Sequence, residues 1–236
     1  MLKISLMLAV FAIVATSLVS LTEINTRDQI LENERQALLS ALNALVDTKR
    51  YDNDILADSI TLPETAELHT KNITQVYRAR KGNTPVAAVF TSIAPNGYNG
   101  EIKLLVGIYY DSTLAGVRVI HHKETPGLGD KIDLKKADWI LAFNGLSLLN
   151  PVDSKWKVKK DGGDFDQFTG ATITPRAVVL AVKNALQYFN QHRDELFAQT
   201  ASNTNIDTAS SDCASTSENE HCFSPKQLNM EQLNNE

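Results

Sequence analysis

Residues 166–175 read Asp-Gln-Phe-Thr-Gly-Ala-Thr-Ile-Thr-Pro. Thr169 and Thr172 put two hydroxyls on a run of small residues. Gly170 permits a tight backbone turn, and Ala171 leaves the space beside it uncluttered. Thr174 fits a helix N-cap and Pro175 the first helical position. A helix start offers unpaired N–H groups and a partial positive charge, which suit an anion such as phosphate. The plainer reading of the same residues is a turn followed by a capped helix. A second segment, residues 124–131, reads Glu-Thr-Pro-Gly-Leu-Gly-Asp-Lys. Its two glycines let the backbone approach a flat ring, and Thr125 adds a hydroxyl. It lacks the G-x-x-x-x-G-K-[ST] of a phosphate loop, and taken alone it also reads as a Pro-Gly turn.

Other chemistry-bearing residues fall into weaker patterns. His121 and His122 adjoin the second segment, but no metal-ligand spacing accompanies them, and surface histidines at a strand end are the commoner case. Lys155, Lys157, Lys159 and Lys160 read as a solvated basic strand. Trp139 and Trp156 offer flat faces, though packing is the usual fate of Trp. Cys213 and Cys222 can close a short disulfide loop in an exported chain or stand as incidental thiols. With His221 they fit no common zinc pattern, so no metal site is assigned. No acid–base dyad or nucleophile triad is visible, and no residue is read as catalytic.

The elements that must position these segments come from periodicity. Residues 85–92 are apolar and end at the turn-rich 95–100. Residues 102–110 and 114–120 read as strands separated by Asp111-Ser112-Thr113. Residues 134–143 suit a short helix and 156–159 a further strand. Residues 176–196 are the best helix, with an apolar stripe at Val178, Val179, Val182, Leu186 and Phe189. Strands first and a closing helix predict an α+β domain with an antiparallel sheet.

The two ends of the chain are of other material. Residues 4–21 carry no charge, and 18 residues of helix span roughly 27 Å, close to a bilayer core. The hydroxyls of Ser5, Thr16, Ser17 and Ser20 can bond back to their own helix. The α-amine and Lys3 precede the run and a net −2 follows it, which orients the amino end inward. A cleaved signal peptide is the competing reading, though no A-x-A triplet follows. Residues 28–46 then suit an amphipathic helix leading away from the membrane. Residues 200–236 hold six acids and one base, so the chain's whole net charge of −5 belongs to this tail. Its Ser, Thr, Asn and Gln content reads as disordered. The neutral remainder argues against a nucleic-acid binder.

The string Asp166-x-x-Thr169-Gly170-Ala171-Thr172 resembles the flavinylation motif D-x-x-[ST]-G-A-[ST] of FMN-binding domains. In that family a flavin transferase uses FAD to attach FMN, by its phosphate, to the last hydroxyl residue. The resemblance therefore implies covalent FMN on Thr172, with Asp166, Thr169, Gly170 and Ala171 filling the other motif positions. Residues 124–129 resemble the E-T-P-G-L-G loop of the same domain, which lies along the flavin and implies cofactor-binding roles for Glu124, Thr125, Gly127 and Leu128. An N-terminal anchor, Gly97-Tyr98, the strand at 102–108, the Glu124 loop and the Thr172 motif follow in that order. Over residues 1–198 this is similar to the G subunit of Rnf/Rsx-type ion-translocating electron transport complexes. The C subunit of sodium-translocating NADH:quinone reductase is a related alternative, and a non-redox exported scaffold is a second.

The resemblance implies a bacterial inner-membrane protein, single-pass, with its bulk periplasmic. It would relay electrons between NADH and ferredoxin, or toward reduction of a redox sensor, in a complex that moves ions, alongside other membrane and iron–sulfur subunits. The implied organisation is an anchor at 1–22, a helical stalk leading into the domain at 23–80, the FMN-binding domain at 81–198, and a disordered acidic tail at 199–236.

Overall fold

The computed structural model describes residues 2–198; the acidic tail, with Cys213 and Cys222, lies outside the described residues. One uninterrupted helix, α1 (Leu2–Asn43), opens the chain. Its Leu6–Glu23 stretch has a mean hydropathy of 2.0 and is long and apolar enough to cross a membrane. Thr16, Thr22 and Thr26 each donate to the carbonyl four residues back, at 2.8 Å. A polar side chain is thereby satisfied within the helix, as a lipid-facing segment requires. The far end of α1 turns amphipathic. Leu42 is fully buried, and Leu45 and Val46 follow it into a cluster with Ala79, Ala87, Val89 and Leu105.

Five strands form one antiparallel meander in chain order: β1 (Ser59–Leu62), β2 (Thr74–Lys81), β3 (Thr84–Gly97), β4 (Gly100–Tyr109) and β5 (Leu114–His121). Period-two alternation gives the sheet two apolar faces. Ala87, Val89 and Leu105 face the end of α1. Ala88, Phe90, Leu104, Val106 and Ile108 join the larger core beneath the closing helix, α2 (Ile173–Ala198). The predicted stripe of Val178, Val179, Val182, Leu186 and Phe189 is buried throughout. The fold is α+β, with an N-terminal apolar helix, an antiparallel sheet and a C-terminal helix.

Some local expectations are corrected. Residues 156–159 are not a strand: two short 3₁₀ turns, Asp153–Lys155 and Lys159–Asp161, flank them. Val158 makes only an isolated bridge to Phe165. The alternation there comes from Trp156 and Val158 plugging the core while the lysines stay in solvent. Residues 134–143 shorten to a 3₁₀ turn, Asp138–Phe143, whose buried Ile140 and Phe143 stand three apart, as that geometry favours. Residues 59–81, which sequence periodicity leaves without a strand, supply β1 and β2.

Candidate functional site

Helix α2 starts at Ile173, and the Arg176 N–H bonds to the Thr172 carbonyl at 3.4 Å. Thr172 thus holds the N-cap position, correcting the placement of the cap at Thr174. Thr172 is half-buried, and its hydroxyl makes no hydrogen bond among the described residues. The N–H groups of Ile173 and Thr174 also lack partners among the described residues, and Pro175 contributes none. The start of α2 is therefore an open end with a free hydroxyl beside it.

The loop leading to Thr172 is pinned from behind. The Trp139 indole donates to the Asp166 carbonyl at 2.8 Å, and Trp139 packs edge-on against Phe168 with centroids 5.2 Å apart. The Ala171 N–H closes a turn on the Phe168 carbonyl at 3.1 Å, with Gly170 at φ +83° where a type II turn demands a positive value. Thr169 and Gly170 form its exposed tip. The Asp166 carboxylate is exposed and pairs with Lys159 at 2.6 Å. Arg176, a cation in the first turn of α2, opposes the helix dipole. Asp161 offsets it with bonds of 2.7 and 2.8 Å, and those bonds hold the Asp161 carboxyl below its ordinary range and the guanidinium above its own.

The Glu124 loop lies alongside. Leu128 N–H bonds to the Thr125 carbonyl at 3.1 Å across Pro126-Gly127, with Gly127 at φ +78°. A Cβ on Gly170 would sit 3.5 Å from the Leu128 side chain, so the two motif loops run side by side. Leu128 and Ile173 remain 43% and 45% exposed, giving the open helix end an apolar flank. The Thr125 hydroxyl accepts from the Asn99 side chain at 3.1 Å. Glu124 points inward, with one carboxyl oxygen accepting from the Asn99 N–H at 3.1 Å and the other from the Thr174 hydroxyl. Sequence reasoning misses Asn99 and reads Thr174 only as a cap, because their partner lies 25 and 50 residues away in the chain.

The remaining candidates do structural work. Trp139 and Trp156 belong to an aromatic cluster with Phe143, Phe165 and Phe168. His121 is exposed, and His122 Nδ1 accepts from the Glu124 N–H at 3.1 Å. Lys155 and Lys159 stay in solvent beside Asp164 and Asp166.

These residues fit an FMN phosphate. They offer a free, reachable hydroxyl, two unpaired N–H groups and an apolar flank at Leu128 and Ile173. Residues 97–187 match the FMN-binding domain family, and residues 1–45 match the RnfG N-terminal region. Over 197 residues, 84% of this chain and 94% of the relative, the sequence is 52% identical to the G subunit of the ion-translocating oxidoreductase complex of Vibrio cholerae serotype O1 (strain M66-2). The corresponding G subunit of Pseudoalteromonas atlantica is 50% identical over 83% of this chain and 91% of its own. That of Shewanella oneidensis is 47% identical over 84% and 94%. Fold and site together define an FMN-binding α+β domain carried on an N-terminal apolar helix. The chain belongs to the family of G subunits of ion-translocating oxidoreductase (Rnf-type) complexes.

Proposed function

We propose that this chain carries FMN joined through its phosphate to the Thr172 hydroxyl, and that it relays electrons within an ion-translocating complex. The observation that carries the reading is the unbonded, half-buried hydroxyl of Thr172 at the open start of α2, inside an intact D-x-x-T-G-A-T string. A side chain whose duty was to cap the helix would bond to the N–H of the second helical residue, Thr174, because the third is Pro175; this one does not. On attachment the Thr172 oxygen replaces AMP on the flavin-side phosphorus of FAD and loses its proton, so the hydroxyl must be reachable by the transferase. The unpaired N–H groups of Ile173 and Thr174 would then face the phosphodiester, and Leu128 and Ile173 would shield part of the ring from water. FMN supplies one- and two-electron redox chemistry; the protein supplies attachment, orientation and electrostatics. A tethered cofactor cannot diffuse away between turnovers, which suits a relay between NADH and ferredoxin partners.

The relay would stand outside the membrane on its own stalk. From Glu23 to Asn43 the unbroken helix rises about 30 Å. With the amino end inward, the domain would lie on the periplasmic side of the bacterial inner membrane. Partners would be the other membrane and iron–sulfur subunits, with the flavin transferase acting during maturation.

Co-expression with a flavin transferase tests the reading. The expected product is yellow, heavier by one FMN less water, and keeps its flavin through denaturation, with the label on the peptide containing Thr172. A colourless, unmodified chain would overturn the assignment and favour an exported scaffold.

A further inference from the structure

Resting on the reading of Thr172 as the flavin carrier, we propose that Glu124 is a positioning residue: its buried carboxyl locks the Glu124 loop, the β3–β4 hairpin and the first turn of α2 into one frame around the attachment site. Glu124 is 5% exposed and Thr174 is fully buried. One carboxyl oxygen accepts from the Thr174 hydroxyl and the other from the Asn99 N–H at 3.1 Å. Both oxygens are engaged inside the fold.

The packing leaves room for nothing else. A Cβ on Gly129 would come within 2.8 Å of one carboxyl oxygen, and a Cβ on Gly97 within 2.9 Å of the other. Gly129 belongs to the loop and Gly97 to the hairpin, so both elements have been stripped to backbone where they meet this group. A buried polar group is costly unless its bonds are made, so the three elements hold together or open together. Asn99 ties the hairpin a second time, through its side chain to the Thr125 hydroxyl at 3.1 Å.

Both consequences reach the flavin position. Thr174 is two residues beyond Thr172, so holding its side chain holds the backbone of the helix start from which the Thr172 hydroxyl projects. The loop held by Glu124 also carries Leu128, whose side chain lies beside Gly170. Removing the brace lets the loop and the helix start move independently.

The test uses the full-length chain in detergent, as wild type, Thr174→Val, Thr174→Ser and Glu124→Gln. In flavin-free protein, Thr174→Val is expected to speed exchange at the hydrogen-bonded amides of Glu124, Leu128, Gly129, Asp130 and Arg176 at least tenfold, with β1 and β2 unchanged and Thr174→Ser close to wild type. With FAD and flavin transferase, labelling of Thr172 should slow at least tenfold in Thr174→Val, and the visible circular dichroism of attached flavin should weaken. Thr174→Ser should restore both, and Glu124→Gln should fall between. Unchanged exchange in Thr174→Val overturns the brace. Faster exchange with unchanged labelling and dichroism, or no rescue by serine, overturns the positioning role. A wild type that takes no flavin sinks the Thr172 reading instead, and the exchange arm still decides whether the brace exists.

Discussion

The two ends of α2 are finished in opposite ways. At the C-terminal end the Leu196 carbonyl accepts from Arg78 at 3.0 Å and the Phe197 carbonyl from Arg80 at 2.8 Å. Asp58 takes both guanidiniums, and Arg78 is almost wholly buried. At the N-terminal end the Thr172 hydroxyl and two N–H groups stand free among the described residues. Either end of a helix leaves orphan backbone groups that protein, water or ligand must satisfy. This chain commits a buried ion-pair network to closing the end with negative partial charge and leaves the positive end open. The contrast separates the end of the helix that is tied into the fold from the end whose donors stand open.

That separation is breakable at either end. Thr172→Ala is expected to abolish flavin attachment completely while changing the free energy of unfolding by less than about 0.5 kcal/mol, below the usual loss for a cap because no capping bond exists. Mass spectrometry and urea unfolding followed by Trp fluorescence check the two halves. Asp58→Ala should do the reverse. It takes the carboxylate away from a buried guanidinium, at a cost of about 3 kcal/mol, while the folded fraction still accepts flavin. A destabilised Thr172→Ala or an unlabelled but folded Asp58→Ala would erase the distinction. Gly170→Ala probes the open end more gently. The φ of +83° makes a Cβ cost about 1 kcal/mol, and a slower labelling rate at Thr172 is the expected companion.

The same contrast explains what the sequence revealed. The open end was legible because it is local: seven consecutive residues carry the motif, and Gly170 announces its own turn. Strands β3 to β5 and the stripe of α2 were legible because their apolar residues repeat at strand and helix periods. The closed end was not. Strand β2 reads Thr-Gln-Val-Tyr-Arg-Ala-Arg-Lys, and two arginines look like solvent-facing residues until Asp58, 20 residues earlier, is placed against them. Thr174 was misread as the cap for a related reason. A threonine before Pro175 is a good local candidate, and only the distant carboxyl of Glu124 makes burial of its hydroxyl acceptable. Trp156 and Val158 imitated a strand because alternation records burial, and burial does not require a neighbouring strand.

The smallest expected effect lies at the rim of the open end, in the pair of Asp161 and Arg176. The hydrogen bond from Arg176 holds the Asp161 carboxyl below its ordinary value of 3.8. A carboxyl whose folded value is depressed adds stability that is fully present above the unfolded value and is lost as pH falls through the folded one. Asp161→Asn should therefore unfold slightly more readily than wild type near neutral pH, and the gap should close below pH 3.8 as the native carboxyl takes up its proton. The pair is exposed at the surface, so salt should shrink the gap as well. Unfolding curves at neutral and acid pH, each at low and high salt, measure it. A gap that persisted unchanged into acid would mean that Asp161 acts by shape and not by charge.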